Sequence, residues 1–499
     1  ARIHLLANIA DDPILQSNYR LDWAIKPNLG IDILLPPLVR ILPLFVVGKL
    51  FVAATMASLV GGVAALHRVL HGKVGLWPAA AFLFLYNMTL TMGFLNFLLG
   101  LGLCLCAVAA WIALRERPAW WRIALFSAVT IVLFFTHLMA LGAYGLLVGA
   151  WELSHALRAP RDWRRAVRDW LVGGAQFVAP ALLLLHSLPP APPDSYVQYA
   201  SPLAKLFVIL APVLSYQDPI DGILFLFVLI VVVFALVTRR FAVAANMGLP
   251  LLLLGAAAAF MPFSGHGRFG GFWGLDLRFF VILAFVAVAA LDFRARSTPI
   301  AIIFGLSAVA LFAWRIGEVA TDWRAYDAQF AEYRAAAAII EPGSAVLQAQ
   351  SWVGPIAGDR NDFAHTYDYM ATLSIIDRGV FLPNFFTDPV KQPVLPAPRR
   401  AAIDTPVGTP VTLAGLRALA DPALHDWYRD DNGNVGERLY GYMWQDNFDY
   451  VVVVHTGSQG NPVPELLAPA ASGSFFDIYR VIGGGCTEDY PRTCGRIRR

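Results

Sequence analysis

Residues 223–237, ILFLFVLIVVVFALV, run for fifteen positions without a charge or a turn former. Such a stretch fits only lipid or deep burial, where the backbone has to satisfy its own hydrogen bonds as a helix. The chain repeats the pattern. Apolar segments cover about 41–66, 76–90, 94–114, 123–135, 139–151, 171–186, 247–260, 279–291 and 300–313. The 206–214 stretch is too short for a full span and reads as a surface or re-entrant helix. Charged residues make up 15% of the chain and hydrophobic residues 58%, with a mean hydropathy of +0.58. A soluble chain carries roughly 25% charge, so the composition is that of a polytopic membrane protein.

Charge placement sets an expected orientation. Lys and Arg concentrate in loops 67–73, 115–122, 158–168, 239–240 and 294–296, which fall on one side if the segments alternate. The positive-inside rule makes that side cytoplasmic. Residues 1–40, the Pro-rich 187–205 loop, the 263–278 loop and everything after Thr321 are then exterior, which in a bacterial inner membrane means periplasmic. The weak point is 123–151, where two short segments must both cross, so tilt or a broken helix is expected there. The net charge of +3 points to no nucleic-acid partner.

Composition changes after Ala320. TDWRAYDAQFAEYRAAAAII has helical spacing of Trp323, Tyr326, Phe330 and Tyr333, then a Pro342-Gly343 turn and the strand-like SAVLQAQ. Strands are expected at 450–454 and 475–482, a helix in LAGLRALADPALHDWY and a loop in FFTDPVKQPVLPAPRR. The expected fold is a polytopic α-helical membrane protein with a small C-terminal α/β or α+β exterior domain. Its divisions are an exterior polar segment 1–40, a transmembrane domain 41–316 and the exterior domain 317–499.

The opening forty residues hold Asp11, Asp12, Asp22 and Asp32 among Arg2, His4, Arg20, Lys26 and Arg40, immediately before the first strong span. Charges cost several kcal/mol in hydrocarbon, so such a group belongs at a membrane face or in a polar cavity. The chain opens on Ala1 with no basic n-region, apolar stretch and cleavage site, as expected of numbering that starts inside a longer polypeptide. Asn87-Met88-Thr89 matches the glycan acceptor pattern within an apolar stretch and reads as a chance match. His137 and His186 read as packing or hydrogen-bonding groups. Cys104 and Cys106 sit in an apolar run. Cys486 and Cys494 fit either a disulfide closing a short loop or two separate thiols. No Walker motif, dinucleotide fingerprint, metal-spaced cysteine set or nucleophile elbow is present.

ADDPILQSNYRLDWAIKPN leads into PPLVRILP and a span, many helices follow, and a small exterior domain ends the chain. This order resembles the GT-C class of polytopic glycosyltransferases. PNLGIDILLPPL and GFLNFLLGLGL resemble uncharacterised bacterial GT-C-like membrane proteins. The resemblance implies a lipid-linked sugar donor, basic residues on its phosphate, and an acidic residue in the first exterior loop that activates the acceptor or supports a divalent metal ion. By resemblance the catalytic candidates are Asp11 and Asp12, with a helix cap or solvated turn before Pro13 as the alternative. His4, Arg20 and Lys26 are candidates for substrate contact, Arg20 and Lys26 through a phosphate, and lipid headgroups compete for those two. In FSGHGRFGGFWGLDLR, Gly265, Gly267, Gly270 and Gly271 permit close backbone approach. His266, Arg268, Asp276 and Arg278 there are further substrate-contact candidates, against a purely structural Asp276–Arg278 network. The expected function is sugar transfer from a polyprenyl-phosphate-type donor to a periplasmic acceptor. The alternative is a non-catalytic scaffold or accessory subunit of a membrane protein complex. A transporter is disfavoured by the lack of a paired repeat.

Overall fold

A computed structural model of the chain describes residues 1–73, 75–158, 163–189, 195–215, 219–268, 270–293, 298–351, 366–405, 410–421, 440–455 and 460–482. They fall into two compact units. One comprises Ala1–Trp23, Leu34–Leu44 and the chain from Val319 onward; the other comprises Ala24–Ile33 and Phe45–Glu318.

The second unit is helical. Among the described residues, six helices are long and apolar enough to cross a membrane: Leu44–His71, Leu95–Ala113, Ala119–Thr136, Trp163–Ser187, Pro219–Val237 and Ile302–Ile339. Gly62 and Gly102 let the first two approach backbone to backbone. A Cβ on Gly62 would lie 2.7 Å from the Gly102 carbonyl oxygen, and one on Gly102 would lie 2.7 Å from the Ser58 carbonyl carbon.

Three sequence expectations change. The 76–90 stretch is no continuous α-helix: a 3-10 helix at Trp77–Phe84 gives way to the short helix Met88–Thr91. Pro78 stands in the first turn of the 3-10 helix. Asn87 then restarts the chain as a cap, accepting from the Thr89 and Leu90 amides. It is wholly buried, as a glycan acceptor is not. The two short segments of 123–151 become full helices, Ala119–Thr136 and Leu138–Arg158, because charged residues extend them. Arg122 and Glu152 are 2% and 3% exposed and face each other at 3.8 Å. Glu152 also accepts from the Trp111 indole at 2.9 Å and from Arg115, which reaches Asp169 at 2.8 Å. Finally, the helix expected to end near Ala313 continues without a break as Thr298–Ala336. Composition turns polar after Ala320, but Ala, Arg, Glu and Gln keep helix propensity high and no proline intervenes.

The first unit is built on a five-stranded sheet in the order Leu467–Ser472, Phe476–Val481, Tyr450–Val454, Val346–Gln350, Val411–Thr412. Tyr450–Val454 runs parallel to Val346–Gln350 and antiparallel to Phe476–Val481. Every residue of these two parallel neighbours is buried, which suits the continuous YVVVV run of a doubly covered strand. The FFTDPVKQPVLPAPRR segment contains the short strand Val394–Pro396, which pairs with Tyr19–Leu21. Residues 1–23 therefore fold as part of this unit. Asn18 fixes them, donating to the Gly343 and Gly379 carbonyls at 3.1 and 2.8 Å and accepting from Arg400 at 3.0 Å. The Tyr19 hydroxyl accepts from the Leu382 amide. Cys486, Cys494 and the 422–428 end of the expected helix lie outside the described residues.

Asp404 gives this unit a pH dependence. Burial pushes its carboxyl up to about 6, against a hydrogen bond from Thr387 that favours the charged form. A carboxyl whose folded value exceeds its unfolded value contributes stability below the unfolded value and loses it as pH rises through the folded one. Between about pH 4 and pH 6.5 the wild type should lose roughly 2 kcal/mol relative to Asp404→Asn. Thermal melts of both chains across that range check this, and parallel curves refute it.

Candidate functional site

In the first unit the opening segment's predicted residues have local duties. Asp12 caps the Pro13–Asn18 helix, its carboxylate accepting from the Ile14 and Leu15 amides at 2.8 and 3.3 Å. Asp11 is exposed in the preceding turn. His4 lies on the Arg2–Asn8 helix with its ring nitrogen 3.2 Å from the Asn8 amide, and burial holds its pKa below the ordinary histidine value. Arg20 is exposed on its strand. Of the two adjacent carboxylates, Asp12 is a cap and Asp11 faces solvent.

In the second unit polar groups converge where three helices begin. Asn28 adopts a left-handed backbone, φ 68°, which asparagine tolerates. Its side-chain oxygen accepts from the Leu138 amide at 2.7 Å, and its backbone amide donates to the Phe134 carbonyl at 3.2 Å. It thereby satisfies the break between Ala119–Thr136 and Leu138–Arg158. Asn96, in the first turn of Leu95–Ala113, donates to the Asn28 carbonyl at 2.9 Å and accepts from the Ile31 amide at 3.2 Å. His137 accepts from the Met139 amide through Nδ1 at 3.2 Å, which leaves its proton on Nε2. Its ring stands edge-on to Phe97 at 5.6 Å.

Arg278 completes the ring. It sits in the first turn of Leu275–Ala290, its guanidinium 4.2 Å from the Phe94 ring centroid and 5.9 Å from that of Phe97. Among the described residues no carboxylate lies within 4.0 Å of it, and its buried Nε has no hydrogen-bond partner. Asp276, expected as its partner, is fully buried and held by Lys205 at 2.6 Å, which also donates to the Met261 carbonyl. The Asp276–Arg278 network is thus replaced by Lys205–Asp276. Lys26, two residues before Asn28, is 6% exposed, and Asp32, in the first turn of Gly30–Val39, is 2% exposed. His266 and Arg268 are exposed on the glycine-rich hairpin formed by Ser264–Gly267 and Gly270–Trp273.

The electrostatics favour an anion here. Helix N-termini carry partial positive charge, so three helices that begin beside one another favour negative charge there. A cation in a helix's first turn opposes that dipole. Arg278 is therefore misplaced on its own and well placed beside a bound anion.

Of the predicted set, Arg278 lies in the cluster, Asp276 is turned to Lys205, and Lys26 is buried two residues before Asn28. Asn28, Asn96, His137 and Lys205 were not assigned to substrate from sequence. A useful signal was Asn28 itself after a proline, since asparagine tolerates a left-handed backbone and favours turns. Nothing local marks Lys205 as the partner of a residue 71 positions away. Compared with known proteins, the chain matches no family model, no curated protein and no solved structure. Its six apolar helices make it a membrane protein with a small strand-containing C-terminal region.

Proposed function

We propose that the chain is a membrane glycosyltransferase that draws a sugar from a polyprenyl-phosphate-type donor, with Arg278 and the three surrounding helix N-termini holding the donor phosphate. The observation that carries the reading is an arginine with no carboxylate partner among the described residues, stacked on Phe94 where three helices begin. The donor's phosphodiester offers two non-bridging oxygens to the guanidinium fork, and the phosphate monoester left after transfer carries more charge for it to meet. The cluster also lies at the opposite end of Leu95–Ala113 from the Arg115–Glu152–Asp169 network, about 28 Å away by helix rise. That spacing matches a bilayer's hydrocarbon core, and the arginine-rich end suits the cytoplasmic face.

In transfer, the acceptor hydroxyl attacks the anomeric carbon. Its proton passes to a carboxylate, the bond from carbon to phosphate oxygen breaks, and polyprenyl phosphate leaves with the electron pair, its new charge met by Arg278. Asp32, in the same unit as Arg278, is the carboxylate offered for the proton. Asp12 is occupied as a cap. In reconstituted vesicles carrying a radiolabelled polyprenyl-phosphate sugar, Asp32→Asn should cut transfer at least about a hundredfold. Asp12→Ala should cost about 1 kcal/mol of stability with little change in rate. Transfer unchanged in Asp32→Asn would remove the catalytic reading.

The scaffold reading has one observation of its own: Asp12 and Asp276 are both engaged structurally. Under it, the Arg278 cluster binds the lipid phosphate and no sugar moves.

A further inference from the structure

The Leu44–His71 helix ends in the sequence HRVLH, which places His67 and His71 four residues apart on one helical face. Their rings lie 4.4 Å apart at 37°. His67 is completely buried, and its Nδ1 is 3.2 Å from the Ala289 carbonyl oxygen. A carbonyl only accepts, so Nδ1 carries the proton and Nε2 keeps its lone pair. A backbone carbonyl commonly fixes a metal-binding histidine in this way. The Nε2 atoms of both rings are buried, and among the described residues none hydrogen-bonds either one. Two uncompensated imidazole nitrogens side by side are costly in an apolar interior. Lys73, the next cation along the chain, is drawn off by Asp292 at 3.2 Å.

We infer that His67 and His71 chelate a borderline transition-metal dication of the zinc class. Imidazole pairs select such ions over Mg²⁺ or Ca²⁺, which prefer oxygen. Among the described residues no third histidine, cysteine or carboxylate completes a three-ligand set. Water or an exogenous ligand fills the remaining positions, so the site is an open one. It sits beside the last turn of Leu275–Ala290, at the other end of that helix from Arg278, and is independent of the phosphate-binding reading.

The test is Zn²⁺ alone, added to the metal-stripped, cysteine-alkylated full chain in detergent, with bound metal counted after equilibrium dialysis. Wild type should bind one Zn²⁺ per chain in the presence of excess Mg²⁺. His71→Ala truncates a half-buried residue at the helix end and should keep the fold while weakening binding at least about tenfold. His67→Asn should do the same, and His186→Ala, at an exposed histidine, should change nothing. Melting temperatures confirm that each variant is folded. No uptake by wild type, or equal uptake by wild type and the His67→Asn/His71→Ala double variant, overturns the inference.

Discussion

Replacing Arg315 with leucine should destabilise the helical unit by about 3–5 kcal/mol. Arg315 is 1% exposed and pairs with Asp221, also 1% exposed, at 3.1 Å. Its guanidinium further donates to the carbonyls of Leu83, Tyr86 and Val213. Asp221 in turn accepts from the amide and hydroxyl of Ser215. One side chain therefore ties the Thr298–Ala336 helix to the end of the 3-10 helix Trp77–Phe84, to the residues that follow it and to the turn ahead of Pro219–Val237. Removing the arginine leaves a buried carboxylate and three buried carbonyls without their donor. Replacing both charges with leucine removes the carboxylate as well, so Arg315→Leu/Asp221→Leu should recover much of the loss. Melting in detergent reads the difference, and a single variant as stable as wild type would show that the pair contributes nothing.

This buried pair also shows what sequence reading reaches. Apolar runs identify most spans, since a bilayer demands a helix of known length wherever hydropathy persists. Such windows treat charge as a terminus. They therefore cut short the helices that contain Arg122 and Glu152, which are inside as part of a buried network with Trp111, Arg115 and Asp169. Strand 450–454 was legible from its unbroken valines, and Leu467–Ser472 was not, because its half-exposed LAPAAS carries no strand pattern. The candidate site was legible in part. Arg278 and Asp276 stood out as charges at a membrane edge, but partner choice is a tertiary matter, and Asp276 took Lys205 instead. Asp11 and Asp12 drew attention as paired carboxylates before a proline, and for Asp12 the cap is the duty that the structure records.

The second large effect concerns Arg278. Arg278→Met should weaken binding of a polyprenyl phosphate roughly 30- to 150-fold, the loss of about 2–3 kcal/mol expected when a charged hydrogen-bonding partner of a phosphate is removed. Methionine fills similar space over Phe94 and Phe97, so packing should survive. Arg278→Lys keeps the charge but gives up the fork and much of the ring stacking, and should fall between the two. Asn28→Ala tests the frame around it. Without its side chain the Leu138 amide loses an acceptor, so phosphate affinity should drop while the arginine itself is untouched.

The central claim is that this cluster recognises the charge at the end of a lipid. The most direct measurement is competition between polyprenyl phosphate and the uncharged polyprenol of the same length for the purified wild-type chain, read by native mass spectrometry. The account predicts that the phosphate is retained, the alcohol is displaced, and the preference disappears in Arg278→Met. Equal retention of both lipids by the wild type, or an undiminished preference in Arg278→Met, would contradict it.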